Sequence, residues 1–390
     1  MDFAFSDAQL AVSEAATGVF AGLVDPERVG AVEKSDDRID RDLWRALADA
    51  DLLGLAVPET EGGAGHGLTE LGLLLESQGN YVAPVPLWAT LVLGASPIAR
   101  FASAEQRQRW LPGVVRGESI LTAALTGSAA SPTSTPPVRA AAEGGSWVLE
   151  GTELAVPQAH LAARIVVPAH TRDGGVMLAL VDPQASGVSL ERTVTTNREI
   201  HPHLHLAGVR VGPDDVVAAP ENGGAAVDDV LTAATIALCA LQVGVCEAAL
   251  SQTAHYLNTR HQFGRPLSTF QGTMLRAADA AIDIEAMRVT WQNAAWRYDT
   301  GRDADEAARV AKWQASERGQ RAVHATQHLH GGMGADITYP IHRYFLWGKQ
   351  LELLLGGPSA QLANLGASIA ERALVEAAEE SGAGAEAVFS

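Results

Sequence analysis

Two long helical patterns meet at one short segment, Arg260-His-Gln-Phe-Gly-Arg-Pro-Leu-Ser-Thr-Phe-Gln271. Upstream, apolar residues recur at helical spacing back to about Val227, and Gly264 is the residue type expected to close that helix because it tolerates positive φ. Pro266 forbids resumption one step later. Ser268-Thr-Phe-Gln271 fits a capping box for a new helix, with the hydroxyl taking a free N–H and the Gln reaching back. A helix therefore ends, turns tightly and restarts. The corner puts Arg260 near the unpaired N–H groups of a helix start, a combination that favours phosphate or another anion. A capped αα-hairpin with a solvated Arg has the same spacing, so spacing alone leaves both readings open.

The full sequence has 390 residues, beyond the size at which one core keeps growing, so two or three domains are expected. Ala/Leu-rich tracts and 5% aromatic residues indicate a mostly helical protein. With 46 acidic against 28 basic residues, a formal charge of −18 and no block of Lys or Arg that could follow a phosphate backbone, nucleic acid is not expected as a partner. Cys239 and Cys246 lie seven apart on one predicted helix, about 10 Å along its axis and too far for a disulfide. Their spacing matches no zinc pattern, and no metal is expected. Met1-Asp-Phe-Ala-Phe-Ser-Asp has no basic leader region, and no uncharged run of 18 apolar residues reads as a membrane span. The expected location is cytoplasmic.

Residues 1–120 read as a helical N-domain. Ser6 caps the first helix, and Leu43, Trp44, Leu47, Leu52 and Leu53 keep roughly helical spacing. Leu55-Ala-Val-Pro-Glu-Thr-Glu-Gly-Gly-Ala-Gly65 interrupts it, and helix resumes from Leu68 to about Gln78. Residues 121–222 change texture: a Ser/Thr/Pro/Ala loop from Gly127 to Pro137 leads into short β-type runs at Trp147-Val-Leu, Arg164-Ile-Val-Val, Val176-Met-Leu-Ala-Leu-Val and Val209-Arg-Val. These runs predict a small antiparallel barrel or sandwich. Residues 223–380 return to long helices, broken at Gly264–Pro266, Gly301 and Gly331–Pro340, and 381–390 form an Ala/Glu/Gly-rich tail.

Several segments together resemble the acyl-CoA dehydrogenase family. Leu55–Gly65 is similar to its PE…GGxG segment, and Ala104-Glu-Gln-Arg-Gln-Arg-Trp-Leu-Pro-Gly113 to its E-Q…LP-G element. Arg260-His-Gln-Phe-Gly264 matches R-x-x-F-G, and His330-Gly-Gly-Met-Gly334 followed by Tyr339-Pro340 matches G-G-x-G…YP. The resemblance spans nearly the whole chain in order. It implies a multidomain α+β fold: a helical N-domain, a small β-domain and a C-terminal four-helix bundle. It also implies FAD bound across a subunit interface, where one subunit's β-domain meets the flavin ring and its neighbour's arm and glycine turn hold the pyrophosphate and adenosine. Carried over by position, Arg260, Phe263, Gln271, His328, Gly331 and Gly332 are the expected cofactor contacts.

The family's reaction needs a Glu that removes the α-proton of an acyl-CoA. Of its two usual positions, one falls here on Leu355 and the other on Ala234, and neither side chain can take a proton. Glu352, Asp228 and Asp229 read as solvated helix charges. Where the family carries an acidic flavin loop, this chain has Leu125-Thr-Gly-Ser-Ala-Ala-Ser-Pro132, and Ala155-Val-Pro157 stands where a Trp-containing triplet belongs. Ala155 has no ring to stack and Pro157 has no N–H. The resemblance is closest to the non-catalytic subunit of two-plus-two heterotetrameric bacterial steroid side-chain acyl-CoA dehydrogenases. It implies FAD shared with a homologous catalytic subunit, an acyl-CoA substrate for the complex and electron-transfer flavoprotein as a further partner. An active homomeric dehydrogenase with an unassigned base and a non-redox scaffold of the same fold are the alternatives.

Overall fold

The computed structural model of the protein describes residues 4–125 and 136–380. The flavin-loop reading at Thr126–Pro132 and the tail at 381–390 lie outside them.

The chain begins with helix α1 (Asp7–Leu23), and the Ser6 cap forms as a full capping box: Gln9 N donates to Ser6 Oγ at 3.3 Å and Ser6 N donates to Gln9 Oε1 at 3.0 Å. Helices α2 (Pro26–Val32) and α3 (Arg41–Asp49) follow, with Leu43, Trp44 and Leu47 on the buried stripe of α3. The glycine-rich stretch before Leu68 is irregular because it folds tightly on itself; a Cβ on Gly63 would lie 2.1 Å from the Val57 carbonyl oxygen. Helix α4 (Leu68–Tyr81) is buried along most of its length. A buried π-helical segment (Trp88–Ala95), α5 (Ser96–Phe101) and α6 (Ala104–Val115) complete the N-domain.

The middle domain comprises β1 (Leu121–Ala123), β2 (Arg139–Glu143), β3 (Ser146–Glu153), β4 (Arg164–Thr171), β5 (Val176–Val181), β6 (Val188–Glu191), β7 (His203–Val211) and β8 (Val216–Ala218). The strands form one sheet in the order β6-β7-β3-β2-β4-β5-β8, with β1 paired to β4. The sheet is mixed, not antiparallel as expected. β1 and β2 lie along successive stretches of β4, at Arg164–Val166 and His170–Thr171, and both run parallel to it. Each reaches β4 through intervening chain and not through a hairpin, so the parallel sense follows from the crossover.

The C-terminal domain contains α7 (Gly223–Thr259), α8 (Gln271–Asp299), α9 (Asp305–Leu329), α10 (Ile341–Leu353) and α11 (Pro358–Glu380). Helix α7 is apolar and long enough to cross a membrane by length and composition alone, but 78% of its apolar window is buried inside the protein. Its approach to α4 depends on two glycines. A Cβ on Gly244 would sit 1.9 Å from the Glu76 carbonyl oxygen, and one on Gly79 would sit 2.3 Å from that of Leu241. Cys239 and Cys246 are free and buried on α7, and burial pushes both thiols up to about 12. One hydrophobic core spans the two helical domains and extends into the sheet, while a second lies within the middle domain.

Candidate functional site

Helix α7 ends at Thr259, and Arg260 is already extended. Its N–H still bonds back to Tyr256 O at 2.8 Å, and its carbonyl accepts from Leu267 N at 2.9 Å. Two short strands, β9 (His261–Gln262) and β10 (Arg265–Pro266), then pair antiparallel around a turn in which Phe263 and Gly264 have φ of +54° and +79°. Gly264 therefore turns a hairpin and does not close α7. Two successive positive-φ residues suit the twist of a two-residue hairpin, a place normally left to Asn-Gly or Gly-Gly. Phe263 holds this conformation with its side chain 90% exposed, at a local cost on the order of 1–2 kcal/mol.

The expected capping box at Ser268–Gln271 does not form. Leu267–Thr269 makes a 3-10 turn, so Phe270 becomes the residue before α8 and Ser268 falls outside capping reach. The Thr273 hydroxyl instead donates to the Leu267 and Phe270 carbonyls at 2.6 and 2.7 Å. Gln271 is the first residue of α8 and is exposed. The Arg265 guanidinium stacks 4.1 Å from the Phe270 ring centroid.

The second half of this surface is the glycine turn after α9. His328 is exposed on the helix's last turn, whereas His330 is buried, with Nδ1 2.9 Å from the Thr326 carbonyl oxygen. Burial holds the His330 imidazole below its ordinary value. Gly331 has φ of +58°, and a Cβ on either Gly331 or Gly332 would meet nothing within 4 Å. The glycines thus expose backbone without closing over it. Tyr256, one turn before Arg260, stacks on His330, and its hydroxyl reaches the His330 carbonyl at 3.5 Å. Arg260, Phe263 and Gln271 are in this way brought to the same end of the bundle as His328, Gly331 and Gly332.

The two positions expected for a base lie elsewhere. Ala234 is fully buried within α7, and its carbonyl accepts from Trp88 Nε1 at 3.1 Å. Leu355 is 3% exposed with φ of +59°, and its carbonyl accepts from Gln361 Nε2 at 2.7 Å. Leu355 lines an open cavity of about 600 Å³ together with Val227, Leu231, Tyr298, Asp228 and Asp229. Two of the three acids, Asp229 and Glu352, are not the solvated charges expected. Asp229 is largely buried, held by Arg100 Nη2 at 2.8 Å and by the Tyr298 hydroxyl at 2.9 Å. Glu352 is buried and ion-paired with Lys349. Asp228 remains exposed, and partial desolvation followed by the nearby Asp305 raises its carboxyl above the ordinary value.

At the C-terminal end of α10 is a group that the sequence reading missed. Lys312 is fully buried on α9 and donates to Ser316 Oγ at 2.7 Å and to the Leu351 and Glu352 carbonyls at 2.9 and 3.1 Å. Its three N–H bonds match three acceptors, two of them at the C-terminal end of α10, where a cation complements the helix dipole. On the β-domain side, Ala155 adopts φ of +51° and its N–H donates to His203 Nδ1 at 3.0 Å, while Val156 N donates to the Pro202 carbonyl at 2.8 Å. Pro157 is buried. The segment is knitted to the approach of β7 and offers neither an aromatic face nor a hydroxyl.

Comparison with known proteins agrees with this architecture. Residues 6–118 match the family model described as acyl-CoA dehydrogenase, N-terminal domain, and residues 221–370 match that of acyl-CoA dehydrogenase, C-terminal domain. The chain is 37% identical over 380 residues to acyl-CoA dehydrogenase FadE27 of Mycobacterium tuberculosis, covering 95% of this chain and 99% of that one. Among solved structures, it resembles a variant of the Tcur3481-Tcur3483 steroid ACAD at 47% identity and a TM-score of 0.87, over 94% of this chain and 99% of that one. It also resembles the ChsE4-ChsE5 complex from Mycobacterium tuberculosis at 37% identity and a TM-score of 0.89, over 95% and 99%. Helical domains on either side of a mixed sheet, the arm at Arg260, the glycine turn at Gly331 and a matching relative along almost its whole length place this chain in the acyl-CoA dehydrogenase family.

Proposed function

We propose that this protein is a subunit of a heteromeric FAD-dependent acyl-CoA dehydrogenase that lacks its own catalytic base and lends half a flavin site to a homologous catalytic subunit. The observation that carries this reading is Leu355: a buried leucine faces the cavity where the family's carboxylate would stand. General-base work requires a group that can accept the proton within hydrogen-bond reach, and neither Leu355 nor Ala234 qualifies.

The residues present fit one half of FAD. Arg260 and Phe263 are exposed beside a glycine turn with no Cβ in the way, an arrangement suited to a pyrophosphate and adenosine arriving from outside this chain. Phe263, Met333 and Ile337 are large apolar side chains left exposed on this surface, as expected of a face covered in an assembly. The ring half does not fit, because Ala155 and the buried Pro157 supply neither stacking nor a hydroxyl. When bound, FAD supplies the hydride acceptor. In the proposed complex Arg260, Phe263, Gln271, His328, Gly331 and Gly332 hold its pyrophosphate and adenosine side, while the partner provides the ring site and the Glu.

The structural relatives support a mixed assembly and a steroid substrate: one is named as a steroid ACAD for a pair of polypeptides, the other as a two-component complex. The substrate of the complex is accordingly a steroid side-chain acyl-CoA, desaturated between its α and β carbons, with electrons passing to electron-transfer flavoprotein. Co-expression with the homologous catalytic subunit, followed by flavin counting per chain, tests the reading. Flavin at one per pair of unlike chains, with none on the isolated chain, is the expected result. An active homomeric enzyme is the second reading, favoured by Asp228 and Asp229 in the cavity of Leu355. Stoichiometric flavin and acyl-CoA turnover by the chain alone would establish it.

A further inference from the structure

The three domains meet at a small cavity of about 30 Å³, whose walls include Gln78 and Trp88 from the N-domain, Asn197 and His201 from the β-domain, and Leu241 and Leu354 from the bundle. Two of these side chains, Gln78 and His201, are only 2% exposed, and each has a polar atom with no hydrogen-bond partner among the described residues.

The polarity of both atoms follows from their neighbours. Gln78 Nε2 donates to the Ala83 and Val85 carbonyls at 3.0 and 2.8 Å, which uses both amide hydrogens and fixes the orientation of the group. Reversing the amide would set its oxygen against two carbonyl oxygens, so Gln78 Oε1 is the unsatisfied acceptor. His201 Nε2 lies 3.2 Å from Glu199 Oε2, an oxygen that also accepts from Asn197 Nδ2 at 2.9 Å. A carboxylate only accepts, so Nε2 carries the hydrogen and Nδ1 of the neutral ring is a bare lone pair. Two acceptors cannot satisfy each other, and each buried acceptor left alone costs on the order of 1–3 kcal/mol.

We propose that this cavity is a binding site for one ordered water molecule, which donates one hydrogen to Gln78 Oε1 and the other to His201 Nδ1. The cavity has room for water, and the two required donors match the two hydrogens of one water molecule. The water joins α4 of the N-domain to the segment that leads into β7, beside Leu354 at the end of α10. It is an interdomain bridge next to the turn that carries Leu355, independent of whether this chain lends half a flavin site.

A crystal structure of the co-expressed complex at a resolution that orders solvent decides the proposal. Expected is a single density peak within about 3.2 Å of both Gln78 Oε1 and His201 Nδ1. No peak there, or a peak bound to only one of the two atoms, overturns it. Selective ¹⁵N labelling of histidine in the same complex gives a second readout: His201 should be the Nε2–H tautomer with a hydrogen-bonded Nδ1. A hydrogen on Nδ1 of the neutral ring would contradict the assignment. His201→Phe should displace the water, and an unmoved peak in that variant would also count against the bridge.

Discussion

Tyr256 stacks on His330 with ring centroids 4.6 Å apart and planes inclined by 25°, joining the last turn of α7 to the glycine turn that follows α9. The contact fixes the distance between the two segments proposed to hold one cofactor. Tyr256→Ala removes the stack and the hydroxyl contact with the His330 carbonyl, and should lower flavin retention of the assembled complex several-fold while assembly persists. Tyr256→Phe keeps the ring and should stay near wild type, since such aromatic pairs contribute about 0.5–1.5 kcal/mol beyond their buried area. Equal flavin titrations for the alanine variant and wild type would show that the glycine turn needs no support from α7.

Arg260 tests the cofactor assignment directly. Its side chain lies beyond the end of α7 and is exposed, so Arg260→Ala should leave the chain folded and paired. If the guanidinium makes charge-assisted bonds to a pyrophosphate, each contributes on the order of 1.5–3 kcal/mol, and flavin affinity of the complex should fall by roughly one to two powers of ten. Arg260→Lys should recover only part of this, because a point charge does not reproduce a planar fork. Flavin titration after matching the assemblies by size is the measurement, and unchanged affinity would reduce the arm to a surface hairpin.

Lys312 predicts a pH effect with a definite sign. Burial brings its ammonium from 10.5 down to about 8, so between those values the unfolded chain binds more protons than the folded one. Stability due to Lys312 therefore rises with pH across that window, and the penalty for the buried charge is greatest and constant below it. Lys312→Met removes the titration. The stability difference, wild type minus variant, should grow between pH 8 and 10.5 by up to about 3 kcal/mol, at about 1.4 kcal/mol per unit. Denaturant unfolding at several pH values checks this; a flat difference would mean that Lys312 keeps its ordinary titration in the fold.

Local signals made the helices, the Ser6 cap and the break between α7 and α8 legible, because periodicity and capping act within a few residues. The sequence could not disclose contacts made across the chain. Asp299, at the end of α8, accepts the Leu68 and Thr69 N–H groups at 2.7 and 2.9 Å and so caps α4 from 231 and 230 residues away. Nothing near Leu68 announces such a partner, since Gly67 has no capping side chain. Asp229 resembled a solvated charge for a similar reason: its partners Arg100 and Tyr298 come from α5 and α8, far from it in the chain. The capping box at Ser268 failed on register alone, where a 3-10 turn moved the start of α8 by two residues. Motif order along the chain, in contrast, pointed to the family on which the comparisons agree.

Replacing Leu355 by Glu puts a carboxylate into the family's position, yet it should not create a dehydrogenase in the isolated chain. Leu355 is buried with φ of +59°, so the new side chain keeps the same strained backbone and enters a cavity that already holds Asp229. Desolvation and like charge both favour the protonated form, which suits a base poorly below neutral pH but does not forbid one near it. The stronger obstacle is the hydride acceptor: Ala155 and Pro157 do not build a ring site, so a proton removed from an acyl-CoA would leave no place for the hydride to go. Acyl-CoA turnover by Leu355→Glu, with added FAD and an artificial electron acceptor, should therefore remain at background. The variant should also be less stable than wild type, because burying a carboxyl in place of a leucine costs on the order of a few kcal/mol. Appreciable oxidation by this variant alone would show that the chain does organise a flavin ring, and the division of the site between two subunits would have to be abandoned.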